Sequence, residues 1–248
     1  MTNRTAEASP LIYARVAGFA YLLIIIIAIL NVNFVDSKLI VSGNDAVTAN
    51  NIMANDLLFR IGIAGVLIIY TSVVVLSLAL YVILKTVNKN LALLAMLLRS
   101  GEAILGSVTV LISFIVLLLL NGKGYSTIFE TEQLQALVGL FLNVRTAGLD
   151  IVLIFVGLGG TVFCYLFFKS KYVPRILAAW GIFTYLSMLI LSFVSILLPN
   201  HPAMIEIVLY ALGTFFELIF GFWLLFKGVN VQQWDNHAPA SPAIQPMS

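Results

Sequence analysis

Two opposite charges stand three residues apart inside a long apolar run: Arg99 and Glu102, in "MLLRSGEAILG". Three residues is nearly one helical turn, so the two side chains share a helix face and can pair directly. Glu217 sits inside a second such run, "GTFFELIFGFW". Arg145 and Asp150 occupy a third, and Asp56 and Arg60 stand four apart at the mouth of a fourth. Ionisable groups at membrane depth are costly and need partners, so they mark either function or a lock between helices. In the functional reading, Arg60, Arg99 and Arg145 hold an anionic headgroup or a carboxylate, and Glu102 or Glu217 takes up a proton. The candidate ligand-binding residues are therefore Arg60, Arg99, Glu102, Arg145, Asp150 and Glu217. In the structural reading, the same residues form interhelical salt bridges and hydrogen bonds that fix the bundle. Both readings stay open at this level.

Other residues bear on chemistry by what they exclude. Cys164 is the single cysteine and lies in an apolar run, so an internal disulfide and a cysteine metal cluster are both ruled out. His201 and His237 form no paired-histidine motif, and no metal or cofactor is expected. No G-x-S-x-G elbow is present, and no catalytic residue is assigned. Gly157, Gly159 and Gly160 in "FVGLGGTVF" lack the Lys-Ser/Thr ending of a phosphate loop, and read as small residues that let helices approach closely. Asn50, Asn51 and Asn55 read as helix caps or as an outer polar lid. Tyr21, Tyr70, Tyr81, Tyr185 and Tyr210 read as packing or interfacial side chains.

The elements that must position these groups follow from composition. Of 248 residues, 61% are hydrophobic and only 10% are charged, with a mean hydropathy of +1.07. Soluble domains carry about 25% charged residues, so the natural solvent of this chain is a lipid bilayer. The formal net charge of +2 does not suggest a nucleic-acid partner. A spanning helix needs about 20 mostly apolar residues. Six stretches qualify, at about 12–34, 57–84, 91–120, 145–168, 175–198 and 203–226. The expected fold is all-α: a polytopic membrane protein of six transmembrane helices, arranged as three hairpins. The first stretch lacks a clear cleavage site and reads as a retained span. The expected organisation is a cytoplasmic N-terminus (1–11), a transmembrane domain (12–230) and a disordered cytoplasmic tail (231–248).

Arginine and lysine placement predicts orientation. Arg4, Arg15, Lys85, Lys89, Lys169, Lys171, Arg175 and Lys227 fall on one side. Lys38 and Lys123 fall on the other, with Arg60 and Arg145 at helix mouths there. The expectation is a multi-pass plasma-membrane protein with both termini in the cytoplasm. Two outer segments are longer than simple loops. Residues 35–56 contain a turn, "SGND", and then a helical stretch expected to run unbroken into the second span. Residues 130–144 read as an amphipathic interfacial helix leading into the fourth.

A faint repeat accompanies the hairpins. An offset of 85 positions superposes Lys38 on Lys123 and Arg60 on Arg145. The phrases "LKTVN" and "FKGVN" close the second and sixth spans. Their lysines complement helix C-termini, and Asn88 and Asn230 are expected at left-handed helix exits. The stretches "ARVAGFAYLL", "SKLIVSGNDAVTANNIMANDLLFRIGI", "LYVILKTVNKNLALLAMLLRSGEAIL", "FFKSKYVPRILAAWG" and "LLFKGVN" carry a resemblance. Through them the chain resembles the bacterial integral-membrane family catalogued as domain of unknown function 4386. The resemblance implies a multi-helix membrane protein and supplies no activity, cofactor or catalytic residue. The leading functional expectation is binding or transport of a small amphipathic or lipidic ligand in an intramembrane polar chamber. The alternatives are an enzyme acting on a lipid, with Glu102 or Glu217 as acid–base group, and a structural or partner-binding membrane subunit.

Overall fold

Apolar stretches with no water to satisfy their backbone must close their hydrogen bonds internally, and here they do so as helices. A computed structural model describes residues 9–122, 129–198 and 202–237. Arg4, Lys123, His201 and the tail beyond residue 237 lie outside the described residues. Spanning helix α1 (Pro10–Leu39) starts at Ser9, whose hydroxyl accepts from the Leu11 amide, with Pro10 in the first turn. Its C-terminal part passes through a π-helical stretch, Asn31–Asp36. The short α2 (Asp45–Ala54) follows, then α3 (Asp56–Leu84), α4 (Lys89–Asn121), α5 (Thr131–Ser170) and α6 (Arg175–Leu197). The sixth span is α7 (Ala203–Phe222), continued by a π-helical turn, Trp223–Lys227, and the described residues end in α8 (Val231–His237). Six of these helices, α1 and α3 to α7, are long and apolar enough to cross a membrane. The protein is an all-α, multi-pass membrane protein.

The six spans form a closed ring. Each packs against its neighbours in sequence, and α7 returns to α1. Small residues set the approach distances. A Cβ on Gly18 of α1 would collide with the backbone of Gly221 and Leu225 at the end of the sixth span. Gly157 and Gly160 of α5 lie against Tyr185 and Leu189 of α6, and Gly106 of α4 lies against the Tyr70 ring of α3. The α5 helix, at 40 residues, is about 60 Å long, twice the roughly 30 Å hydrocarbon thickness. The stretch expected to lie at the interface, 130–144, is the first part of this one helix. A capping box of Glu130 and Gln133 starts it.

Three expectations are corrected. Helix α2 does not run unbroken into α3. Asn55, at φ −129° and ψ 44°, interrupts them, and its side chain donates to the Asn51 carbonyl at 3.0 Å. Residues 231–237 are helical rather than disordered, because Trp234 is tied back to the bundle. Its indole N–H donates to the Ile83 carbonyl at 3.2 Å. Finally, Asn88 and Asn230 are not left-handed exits. Asn88 is extended (φ −158°), and its side chain accepts from the Leu91 amide at 3.0 Å. Asn230 accepts from the Gln233 amide at 3.1 Å. Each is the N-cap of the helix that follows. Among the described residues, positive φ occurs at Gly43, at Lys171 after the fourth span and at Gly228 after the sixth.

Candidate functional site

The sequence-selected residues fall into four environments. The deepest is a polar layer inside the ring. Arg99, Tyr185 and Glu217 each stand ten positions from the end of their helical segment, at Lys89, Arg175 and Lys227, and Tyr21 stands eleven from Pro10. At 1.5 Å per residue this puts all four about 15 Å above the face where Pro10, Lys89, Arg175 and Lys227 lie. That is mid-membrane. Tyr185 donates its hydroxyl proton to Glu217 Oε1 at 2.8 Å, and the Tyr21 hydroxyl lies 3.3 Å from that of Tyr185. Arg99 Nη1 and Glu102 Oε2 are 2.8 Å apart, with residue exposures of 4% and 5%. Neither of these two atoms makes a hydrogen bond, so their attraction is that of point charges in a low-dielectric surrounding. Arg99 also interacts electrostatically with Glu217, Tyr21 and Tyr185. Space for this layer comes from α5: Gly159 faces the aliphatic stem of Arg99, and Gly160 faces the Tyr185 ring. The layer thus draws on α1, α4, α5, α6 and α7.

Arg145 lies elsewhere, toward the face opposite Pro10 and Lys227. It pairs loosely with Asp36 at 3.5 Å, and both line a cavity of about 200 Å³ between α1, α3, α4 and α5. Val32, Val35, Phe59 and Ile63 supply apolar walls, and Tyr70, Thr109 and Ser113 supply hydroxyls. The Asn31 side chain, also on the lining, donates to the Gly62 carbonyl at 3.0 Å and so holds α1 to α3. Arg99, Glu102 and Glu217 do not line this cavity. Tyr70 comes between the two regions. Its ring fills the space left by Gly106, one turn beyond Glu102, and it interacts electrostatically with both Glu102 and Arg145.

Arg60 is a surface residue. Its Nε lies 2.7 Å from Asp56 Oδ2, and the two side chains are 51% and 37% exposed. Asp56 Oδ1 also accepts from Asn121 Nδ2 at 2.7 Å, which pins the start of α3 to the end of α4. Asp150 acts together with Glu206 on the hydroxyl of Tyr210, in the N-terminal half of α7. The 85-residue offset therefore superposes two arginines in unlike surroundings, Arg60 on the surface and Arg145 at a cavity.

Sequence reasoning passed over Tyr21 and Tyr185 as packing residues, and over Asp36, Asn31 and Tyr70 as cavity residues. A signal for the first pair was present. Counting depth along each span separately would have put both tyrosines level with Arg99 and Glu217. No comparable signal marked the cavity, because its wall is assembled from four helices.

One family model, described as Domain of unknown function (DUF4386), matches residues 16–228. No curated protein and no solved structure matches the chain.

Proposed function

The chain belongs to the family described as Domain of unknown function (DUF4386), and we propose that this member binds a small amphipathic anion in the membrane. In this reading it is a binding or transport module of the plasma membrane with both termini in the cytoplasm. The observation that carries the proposal is the cavity between α1, α3, α4 and α5, with Arg145 at its rim and apolar walls behind. Arg145 lies 3.5 Å from Asp36, longer than a charge-assisted hydrogen bond of about 2.7–2.9 Å. A ligand carboxylate or headgroup can therefore compete for the guanidinium. A volume of about 200 Å³ suits a short acyl chain rather than a full phospholipid. The Arg99–Glu102 pair and the Tyr21–Tyr185–Glu217 chain act in this reading as the lock that holds the ring closed around the cavity.

Octanoate is the direct probe, with octanol as its uncharged counterpart. Calorimetric titration of the full chain in nanodiscs, with empty nanodiscs as the blank, should show octanoate binding more tightly than octanol. Arg145→Gln should weaken octanoate by about 10- to 100-fold, the worth of a hydrogen bond to a charged group, and leave octanol unchanged. Equal affinities for the two probes, or an unchanged octanoate affinity in Arg145→Gln, would refute the proposal.

A further inference from the structure

On the face where Pro10 and Lys89 lie, a second cavity of about 690 Å³ opens between the α5–α6 turn and the end of the sixth span. Lys171, Arg175 and Lys227 line it, together with Trp223, Pro174 and Val229, and no carboxylate does. None of the three cations pairs with a carboxylate among the described residues. Arg175 is held instead over the Phe168 ring, 5.4 Å from its centroid. All three side chains are solvent-exposed, so water screens their mutual repulsion, and an anion seated in the cavity would take all three as partners.

The backbone is irregular at two of the three cations. Lys171 occupies the left-handed region (φ 59°), which disfavours any residue with a Cβ. Lys227 ends a π-helical turn, an irregularity that recurs at functional sites. The two segments are fastened together where the Asn230 amide donates to the Tyr172 carbonyl at 2.9 Å. Tyr172 itself contributes no negative charge. Burial raises the pKa of its phenol above the ordinary value, against the opposing effect of its hydrogen bond with Thr86.

We propose that this basic cavity, built by Lys171, Arg175 and Lys227, is a binding site for a phosphate-bearing anion. The cavity lies at the ends of the spans, where lipid headgroups sit, and Trp223 is the kind of side chain that anchors there. The phosphate can come from an anionic phospholipid of the adjacent leaflet or from a free phosphate in the aqueous phase. Basic pockets between spanning helices hold anionic headgroups elsewhere.

The test uses the full chain in detergent, titrated with phosphatidylglycerol and read by native mass spectrometry, with phosphatidylcholine as the neutral control and inorganic phosphate as a parallel arm. Phosphatidylglycerol should be retained over phosphatidylcholine, and the preference should fall about fivefold for each of Lys171, Arg175 and Lys227 changed to Gln. Lys227→Arg should keep it. Lys171→Gly removes the charge and relieves the backbone, so it should bind less while melting no lower than the parent. Lys85→Gln with Lys89→Gln, on the same face but off the cavity, should bind normally. If inorganic phosphate binds with this mutational pattern and lipid shows no preference, the source is the free anion. If neither probe depends on the three cations, or the Lys85/Lys89 control loses as much as the Lys171→Gln, Arg175→Gln and Lys227→Gln variants, the site does not exist.

Discussion

Replacing Glu102 with glutamine would strand the Arg99 cation about 15 Å deep in the ring. A guanidinium cannot discharge by losing its proton. Arg99 and Glu102 are 4% and 5% exposed, so solvent does not screen the loss. Removing one partner of a buried pair costs about 3–5 kcal/mol. The lower end applies here, because Glu217 remains a second counter-charge that Arg99 already senses. About 3 kcal/mol corresponds to a fall of roughly 6–12 °C in melting temperature for a domain of this size. The assay is thermal unfolding of the purified chain in detergent, followed by tryptophan fluorescence and by size-exclusion recovery after heating. The informative comparison is the paired replacement Arg99→Met with Glu102→Leu. It removes both charges and keeps apolar volume over Gly159, so it should melt within a few degrees of the parent, or above it. If Glu102→Gln melts with the parent, or the paired replacement is as damaging as the single one, the buried pair is not the lock described above.

Three further outcomes follow from the same geometry. Gly160→Ala drives a methyl group into the Tyr185 ring and should cost about 1–3 kcal/mol, the usual price of overpacking, read as a lower melting temperature in detergent. Asn88→Ala removes the N-cap of α4 and should cost about 1 kcal/mol, whereas Asn88→Ser, which still caps, should cost almost nothing; a Ser cost equal to that of Ala in a melting series would restore the left-handed exit, which favours Asn and Gly over Ser. A periplasm-active reporter fused after Asn230 should be silent, and activity there would overturn the proposed cytoplasmic C-terminus.

The spans were legible because they depend on a local quantity. An apolar run of sufficient length must be a helix in lipid whatever surrounds it. The Arg99–Glu102 pair was legible for the same reason, since three residues along one helix settle its geometry. The π-helical stretches Asn31–Asp36 and Trp223–Lys227 were not legible. Nothing in "NVNFVD" or "WLLFK" departs from a regular helical pattern. The two asparagines were misread because a residue between two helices belongs to whichever backbone it caps. Only the extended φ of Asn88 assigned it to the helix that follows.

By itself, the sequence determined that this is a membrane protein of six helices, and which charges lie deep in them. Hydropathy and helical spacing act within one segment and need no neighbour. Only the tertiary structure decided how the charges are shared out. It joined Glu217 to Tyr185 and Tyr21, set Arg145 beside Asp36 at a separate cavity, left Arg60 on the surface, and gathered Lys171, Arg175 and Lys227 around another. Those pairings depend on which helix faces which around the ring, and glycines on facing helices set how closely each pair can approach.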